Sequence, residues 1–168
     1  MSQQPNTSSS PDPRPEPGTD QPAPDFSGKT TEGDTLGLAD LCGTAFVLYF
    51  YPRDSTPGCT TEAREFQAAL PAFEAAGARI VGVSNDDATS HRKFCEKQGI
   101  EFPLIADTDR SVSRSFNVLR MKNMFGKRFE GIERSTFLVD ADGVIRQAWR
   151  KVKVPGHVEA VLQAVKAL

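Results

Sequence analysis

Cys59 stands in the run Tyr51-Pro52-Arg53-Asp54-Ser55-Thr56-Pro57-Gly58-Cys59-Thr60-Thr61-Glu62, between the apolar stretch Ala45 to Tyr51 and a helical pattern. Thr56 suits an N-cap. Pro57 suits the first helical position, where its φ is preset and its missing N–H loses no partner, and Cys59 then falls at the third. Backbone N–H groups of a first turn have no intrahelical acceptors, so they and the positive end of the helix dipole favour an anionic sulfur. The chemistry this predicts is that of a nucleophilic, oxidisable thiol. The competing role is a small apolar residue packed at a helix start.

The elements that must hold this thiol can be traced along the chain. Ala45 to Tyr51 is apolar without alternation, as expected of a central strand covered on both faces. The helix after Cys59 sets Ala63, Phe66, Leu70 and Phe73 on one face, carries Pro71 as a kink site and closes at Gly77. A strand over Arg79 to Ser84, a helix over Asp87 to Gln98 ended by Gly99, a short strand over Phe102 to Ala106 and a brief helix around Val112 to Phe116 follow. Ser135 to Val139 and Val144 to Trp149 flank Asp142-Gly143, a hairpin signal. Val158, Val161, Leu162, Val165 and Leu168 mark a closing amphipathic helix. The order predicts an α/β layer fold, a mixed sheet flanked by helices with an antiparallel hairpin at one edge.

Composition narrows the function. Lys and Arg number 20 against 22 Asp and Glu, so nothing favours nucleic acid or an anionic membrane surface as partner. Three cysteines, at 42, 59 and 95, are too few and odd in number for a secreted disulfide framework and suit a reducing, cytoplasmic compartment. No Cys or His pair has the close spacing of a zinc site. No apolar run reaches a membrane span, and the N-terminus lacks a basic and apolar leader. Seven of the 12 prolines lie in the first 24 residues, among Ser, Gln, Asp and Glu. Residues 1–23 therefore read as a disordered tail, and residues 24–168 as one domain.

With Pro52, Thr56 and Cys59 in YPRDSTPGCTTEA, then GIERSTFLVDADGVIRQAW and the late His157-Val158, the chain resembles the peroxiredoxins of the bacterioferritin-comigratory-protein (PrxQ) subfamily from about Pro24 onward. The resemblance implies a thioredoxin fold of the peroxiredoxin type and reduction of hydrogen peroxide and organic hydroperoxides by thiol chemistry, with no cofactor or metal. It implies that Cys59 is the peroxidatic nucleophile, that Pro52 shields the pocket, that Thr56 offers its hydroxyl to the peroxide and that Arg134 is the remote arginine. A guanidinium and helix-terminal N–H groups suit the negative charge that develops on a leaving oxygen. Glu62 and Arg64 rank lower, since charges near a helix start are usually solvated.

A sulfenic acid on Cys59 must be captured before further oxidation, and a second thiol does this best. Many subfamily members carry that thiol five residues on, where this chain has Arg64. Other members carry it on a later helix, so the resemblance implies Cys95 as the resolving cysteine, an intramolecular disulfide, a thioredoxin or glutaredoxin reductant and a monomer. Such a bond needs Cα atoms within about 7 Å, and the thin apolar face of the Cys95 helix (Ala88, Phe94, Cys95) suggests that it unwinds with the first turn after Pro57. Cys42 is expected to be a bystander, His91 and His157 to be surface or helix-end groups, and Arg120 to Arg128 to be a solvated loop, with a wall of the site or a reductant surface as its alternatives. Rival functions are a one-cysteine peroxidase resolved by an external thiol, a redox-sensing interaction protein and, more distantly, a disulfide oxidoreductase. The last is disfavoured because Thr60-Thr61-Glu62 leaves no C-x-x-C pair.

Overall fold

The computed structural model describes residues 16–168. The first half of the chain forms β1 (Ser27–Thr30), β2 (Thr35–Gly37), α1 (Leu38–Leu41), β3 (Ala45–Phe50), α2 (Pro57–Ala75), β4 (Ala78–Ser84) and α3 (Ala88–Gln98). The second half forms β5 (Leu104–Ala106), α4 (Ser111–Ser115), β6 (Leu119–Met124), β7 (Lys127–Ile132), β8 (Ser135–Val139), β9 (Ile145–Arg150) and α5 (His157–Lys166). Seven strands make one mixed sheet in the order β2-β1-β5-β4-β3-β8-β9. β3, β4 and β5 run parallel, and β8 and β9 complete one edge as an antiparallel hairpin.

β3 shows why its sequence lacks alternation. Val47 and Tyr49, with Tyr51 just beyond the strand, face a core shared with α2, α3 and α5, whereas Phe46, Leu48 and Phe50 face a second core shared with α1 and α4. Both faces are sealed, so every position is apolar. Phe66 of α2 is fully buried and stacks on Tyr49 with ring centroids 4.6 Å apart. Truncation of such a residue to alanine removes roughly 3–5 kcal/mol of stability.

Differences from the sequence-based expectation are local. α2 runs through Pro71 and ends at Ala75, with Gly77 just beyond at φ 84°. β1, β2 and α1 fall where no element was expected. Arg120 to Arg128 is no loop but most of the two-stranded β6–β7 hairpin, turned at Phe125-Gly126.

The tail assignment concerns residues 1–15 only outside the described residues. Residues 16–23, placed in the same tail, lie against the domain: Asp20 N–H donates to the Ile145 carbonyl at 2.7 Å, Ile145 N–H to Gln21 at 2.9 Å and Ala23 N–H to Gly143 at 2.8 Å. Arg150 donates to the carbonyls of Pro17, Phe116 and Asn117. This strap thus bonds the start of β9, the last strand of the sheet. Among the described residues no helix is long and apolar enough to cross a membrane.

Candidate active site

The antiparallel register of β3 and β8 builds the site. Phe50 is paired with Ser135, so the residue after β3 and the residue before β8 lie side by side, and the loop that leads into α2 emerges next to Arg134. Thr56 is the N-cap residue in an extended conformation, Pro57 opens α2, and Cys59 lies in its first turn. The Thr56 hydroxyl does not cap the helix as expected; it donates to the Arg53 carbonyl at 2.9 Å and holds the loop instead.

Cys59 is 1% exposed. Nη2 of Arg134 donates to its Sγ at 3.3 Å, and Nη1 donates to Oε1 of Glu62 at 2.6 Å. Burial works against the charge of Arg134, but Glu62 and Cys59 outweigh it and hold the guanidinium firmly protonated. Gly58 permits this approach, because a Cβ there would lie 3.2 Å from Nη2.

Glu62 was expected to be solvated and is instead fully buried. Three residues after Cys59, it lies on the inward face of α2, and its value as a binding group comes from Arg134, far away in sequence. Burial pushes its carboxyl up to about 7 even though Arg134 pulls the other way. Its Oε2 and the Tyr49 hydroxyl have no hydrogen-bond partner among the described residues. Burial also raises the Tyr49 hydroxyl well above its usual range, reinforced by negative charge on Glu62, Cys59, Asp54 and Cys95. Arg64, in contrast, is exposed as expected.

Cys95 is half-buried on α3, a free thiol like Cys59. Burial, and next the charge of Asp54, push it up to about 11. A cleft of about 690 Å³ opens beside it, lined among others by Arg79, Arg92 and Glu96. The two cysteine-bearing helices are joined by an aromatic column: Phe94 stacks on Tyr51 (6.4 Å between centroids), Tyr51 on Tyr49 (5.5 Å) and Tyr49 on Phe66. Of the predicted site residues, Thr56, Cys59 and Arg134 are thus gathered at one helix start with half-buried Pro52 in the same loop, while Cys95 stands on a neighbouring helix. Cys42 is exposed.

Neither histidine is a surface group. His157, the first residue of α5, is 6% exposed and shares a 2.8 Å hydrogen bond with the Thr136 hydroxyl. Burial, and then Arg134, push it down to about 4. His91 is fully buried in α3, 2.7 Å from Oδ2 of Asp54. Sequence reasoning passed over Asp54 as well; it is buried and receives hydrogen bonds from Tyr51 and Ser90 in addition. The β6–β7 hairpin ends at Ile132, two residues before Arg134. Lys122 donates to the Ile132 carbonyl at 2.6 Å, and its amine is lowered by burial and by the charge of Arg134.

Residues 19–148 match the AhpC/TSA family. Peroxiredoxin Bcp of Xanthomonas campestris is 58% identical over 135 residues, 80% of this chain and 84% of its own. The structure of the Xanthomonas campestris bacterioferritin comigratory protein that addresses its alkyl peroxide reduction activity superposes with a TM-score of 0.80 at 51% identity, covering 84% of this chain and 90% of that one. Two cysteine-to-serine mutant structures of peroxiredoxin Q from the same organism give 0.80 at 52% identity, with the same coverage. The two replaced cysteines are separated by as many residues as Cys59 and Cys95. The mixed sheet and its helices are thus a thioredoxin fold of the peroxiredoxin type, and the chain belongs to the AhpC/TSA family, in the bacterioferritin-comigratory-protein (PrxQ) branch of the peroxiredoxins.

Proposed function

We propose that this thiol peroxidase works through Cys59 and Cys95. The Cys59 thiolate attacks the terminal oxygen of a hydroperoxide; the S–O bond forms as the O–O bond breaks, leaving a sulfenic acid and an alkoxide or hydroxide that takes up a proton. Arg134 donates toward the reacting oxygens, and Glu62 fixes the guanidinium by its ion pair. Thr56 exchanges its bond to Arg53 for one to the peroxide, and Pro52 keeps water from the thiolate. The observation that carries this reading is the Arg134 guanidinium held 3.3 Å from a buried sulfur in the first turn of α2.

Cys95 then attacks the Cys59 sulfur, the S–S bond forms, and water leaves with the Cys95 proton. Thiols on separate helices reach bonding distance by local unwinding of α3 and of the first turn of α2. An external dithiol reduces the disulfide and is itself oxidised. The reading assigns that role to thioredoxin, with glutaredoxin as the alternative, and treats the protein as a cytoplasmic monomer acting on both hydrogen peroxide and organic hydroperoxides.

Peptide mass mapping without reductant, after one equivalent of hydrogen peroxide, tests the cycle. The expected product is a Cys59–Cys95 cross-link, replaced in Cys95→Ser by sulfenic or sulfinic Cys59. Oxidised Cys59 without a cross-link in the native chain would mean resolution by an external thiol, and an unreacted Cys59 would remove the assignment of the nucleophile.

A further inference from the structure

Asp54 lies in the loop that delivers Cys59, five residues before it, yet most of its partners belong elsewhere. Oδ2 accepts from the Ser90 hydroxyl at 2.8 Å and lies 2.7 Å from Nδ1 of His91, both on α3; Oδ1 accepts from the Tyr51 hydroxyl at 2.6 Å. Its backbone N–H donates at 2.8 Å to Asp86, in the turn that leads into α3. Nε2 of His91 lies 3.0 Å from the Ile105 carbonyl. Nε2 faces a carbonyl and Nδ1 a carboxylate, so the buried ring is bonded at both nitrogens and ties the Asp54 loop to α3 and to β5, sealed from water. Burial pushes the Asp54 carboxyl up, but the bonds from His91, Tyr51 and Ser90 win and leave it below its ordinary value.

Two further observations bear on what this knot does. Ser55, the next residue, is held at φ 65°, a left-handed conformation that costs an L-residue free energy and that the surrounding bonds must enforce. Apart from the knot, α3 buries only Phe94 along its length, so its apolar hold on the domain is small.

We infer that Asp54 is a latch between the two halves of the catalytic cycle: with His91 and Ser90 it ties the Cys59 loop to the Cys95 helix, so that the two segments open together and Cys95 stays withheld until they do. The inference rests on the assignment of Cys95 as the resolving thiol. Closed, the latch positions the loop for the reaction of Cys59 with peroxide, and burial first and the Asp54 carboxylate next hold the proton on Cys95. Open, it releases the Ser55 strain and takes Cys95 away from that charge. Asp54 and His91 are positioning residues here; neither needs to touch peroxide.

The test separates the two steps in time. Reduced protein is mixed with hydrogen peroxide, quenched with acid at intervals and analysed by mass, while hydrogen exchange is followed in the reduced state. Asp54→Asn keeps the shape and loses the charge. The expected result is a disulfide step at least about tenfold faster, a slower peroxide step, and exchange protection lost together over residues 52–60 and 88–98. Ser90→Ala, which removes a single donor, should shift all three in the same direction by a smaller factor and serves if Asp54→Asn does not fold. An unchanged or slower disulfide step with faster exchange of α3 would overturn the latch, as would opening of α3 alone. Should mass mapping find no Cys59–Cys95 bond in the native chain, the assignment of Cys95 fails separately. The exchange data then decide on the latch: joint opening supports it, and opening of one segment overturns it.

Discussion

The two thiols occupy opposite kinds of setting. Cys59 is buried, bonded to a guanidinium and supported by a helix start, a strand end and a second buried charge. Cys95 is half-exposed on a helix with a thin apolar face, and its surroundings keep the proton on its sulfur. One thiol is held ready to react, and the other is withheld. Pre-organisation accelerates a step only for the group whose reacting geometry already exists. In the proposed cycle, the contrast assigns the first step to the folded state and the second to a state that has left it.

The contrast breaks most sharply at the sulfurs. Cys59→Ser should abolish turnover, by at least about 1,000-fold in a coupled peroxidase assay, because a hydroxyl is not ionised near neutral pH. Cys95→Ser should leave the single-turnover rate with peroxide nearly intact and stop only the subsequent turnovers. Next in size is Arg134→Met, expected to slow the single-turnover reaction roughly 100-fold, the scale seen when one positioned donor to a developing oxyanion is lost; a near-native rate would mean that the helix start alone suffices. Gly58→Ala should slow the same step about tenfold. The new methyl group would lie 3.2 Å from Nη2, and an arginine already tied to Glu62 cannot easily yield.

The smallest effect is on stability. The Glu62 carboxyl has an ordinary value of 4.5 and is raised to about 7 in the fold. Its burial therefore costs stability above about pH 7, and stability is regained as pH falls through that value, with the gain complete below 4.5. His157 acts in the opposite sense: lowered from 6.5 to about 4, it removes stability as pH falls across that interval. In Glu62→Gln the first contribution disappears, so urea midpoints at about pH 8 should rise relative to those at about pH 5, compared with the native chain. An unaltered pH profile would show that Glu62 stays ionised throughout.

The sequence was most legible where chemistry is local. The Thr56-Pro57 helix start, the Gly99 helix stop and the Asp142-Gly143 turn each declare themselves within a few residues, and β3 and α5 do so by their apolar patterns. Short elements did not. β2 has three residues, and the β6–β7 hairpin carries four basic residues, two methionines and an exposed Phe125, which hide its alternation. Glu62 and Asp54 were illegible for another reason. A charged side chain is buried only when a partner meets it, and their partners lie 72 and 37 residues further along the chain. Arg134 and Cys95 were singled out through family resemblance, not through local pattern.

The strap of residues 16–23 has a bearing on purity and handling more than on chemistry. β9 is the outermost strand on its side of the sheet; Asp20 and Gln21 occupy both backbone groups of Ile145 at its start, and Ala23 bonds Gly143 in the turn just before it. An open strand edge is a template for a second chain. A protein trimmed at Pro24, where composition suggests the boundary, would keep every residue of the site and lose that cover, so its first defect would be adhesion between copies at high concentration while the activity of each copy persisted.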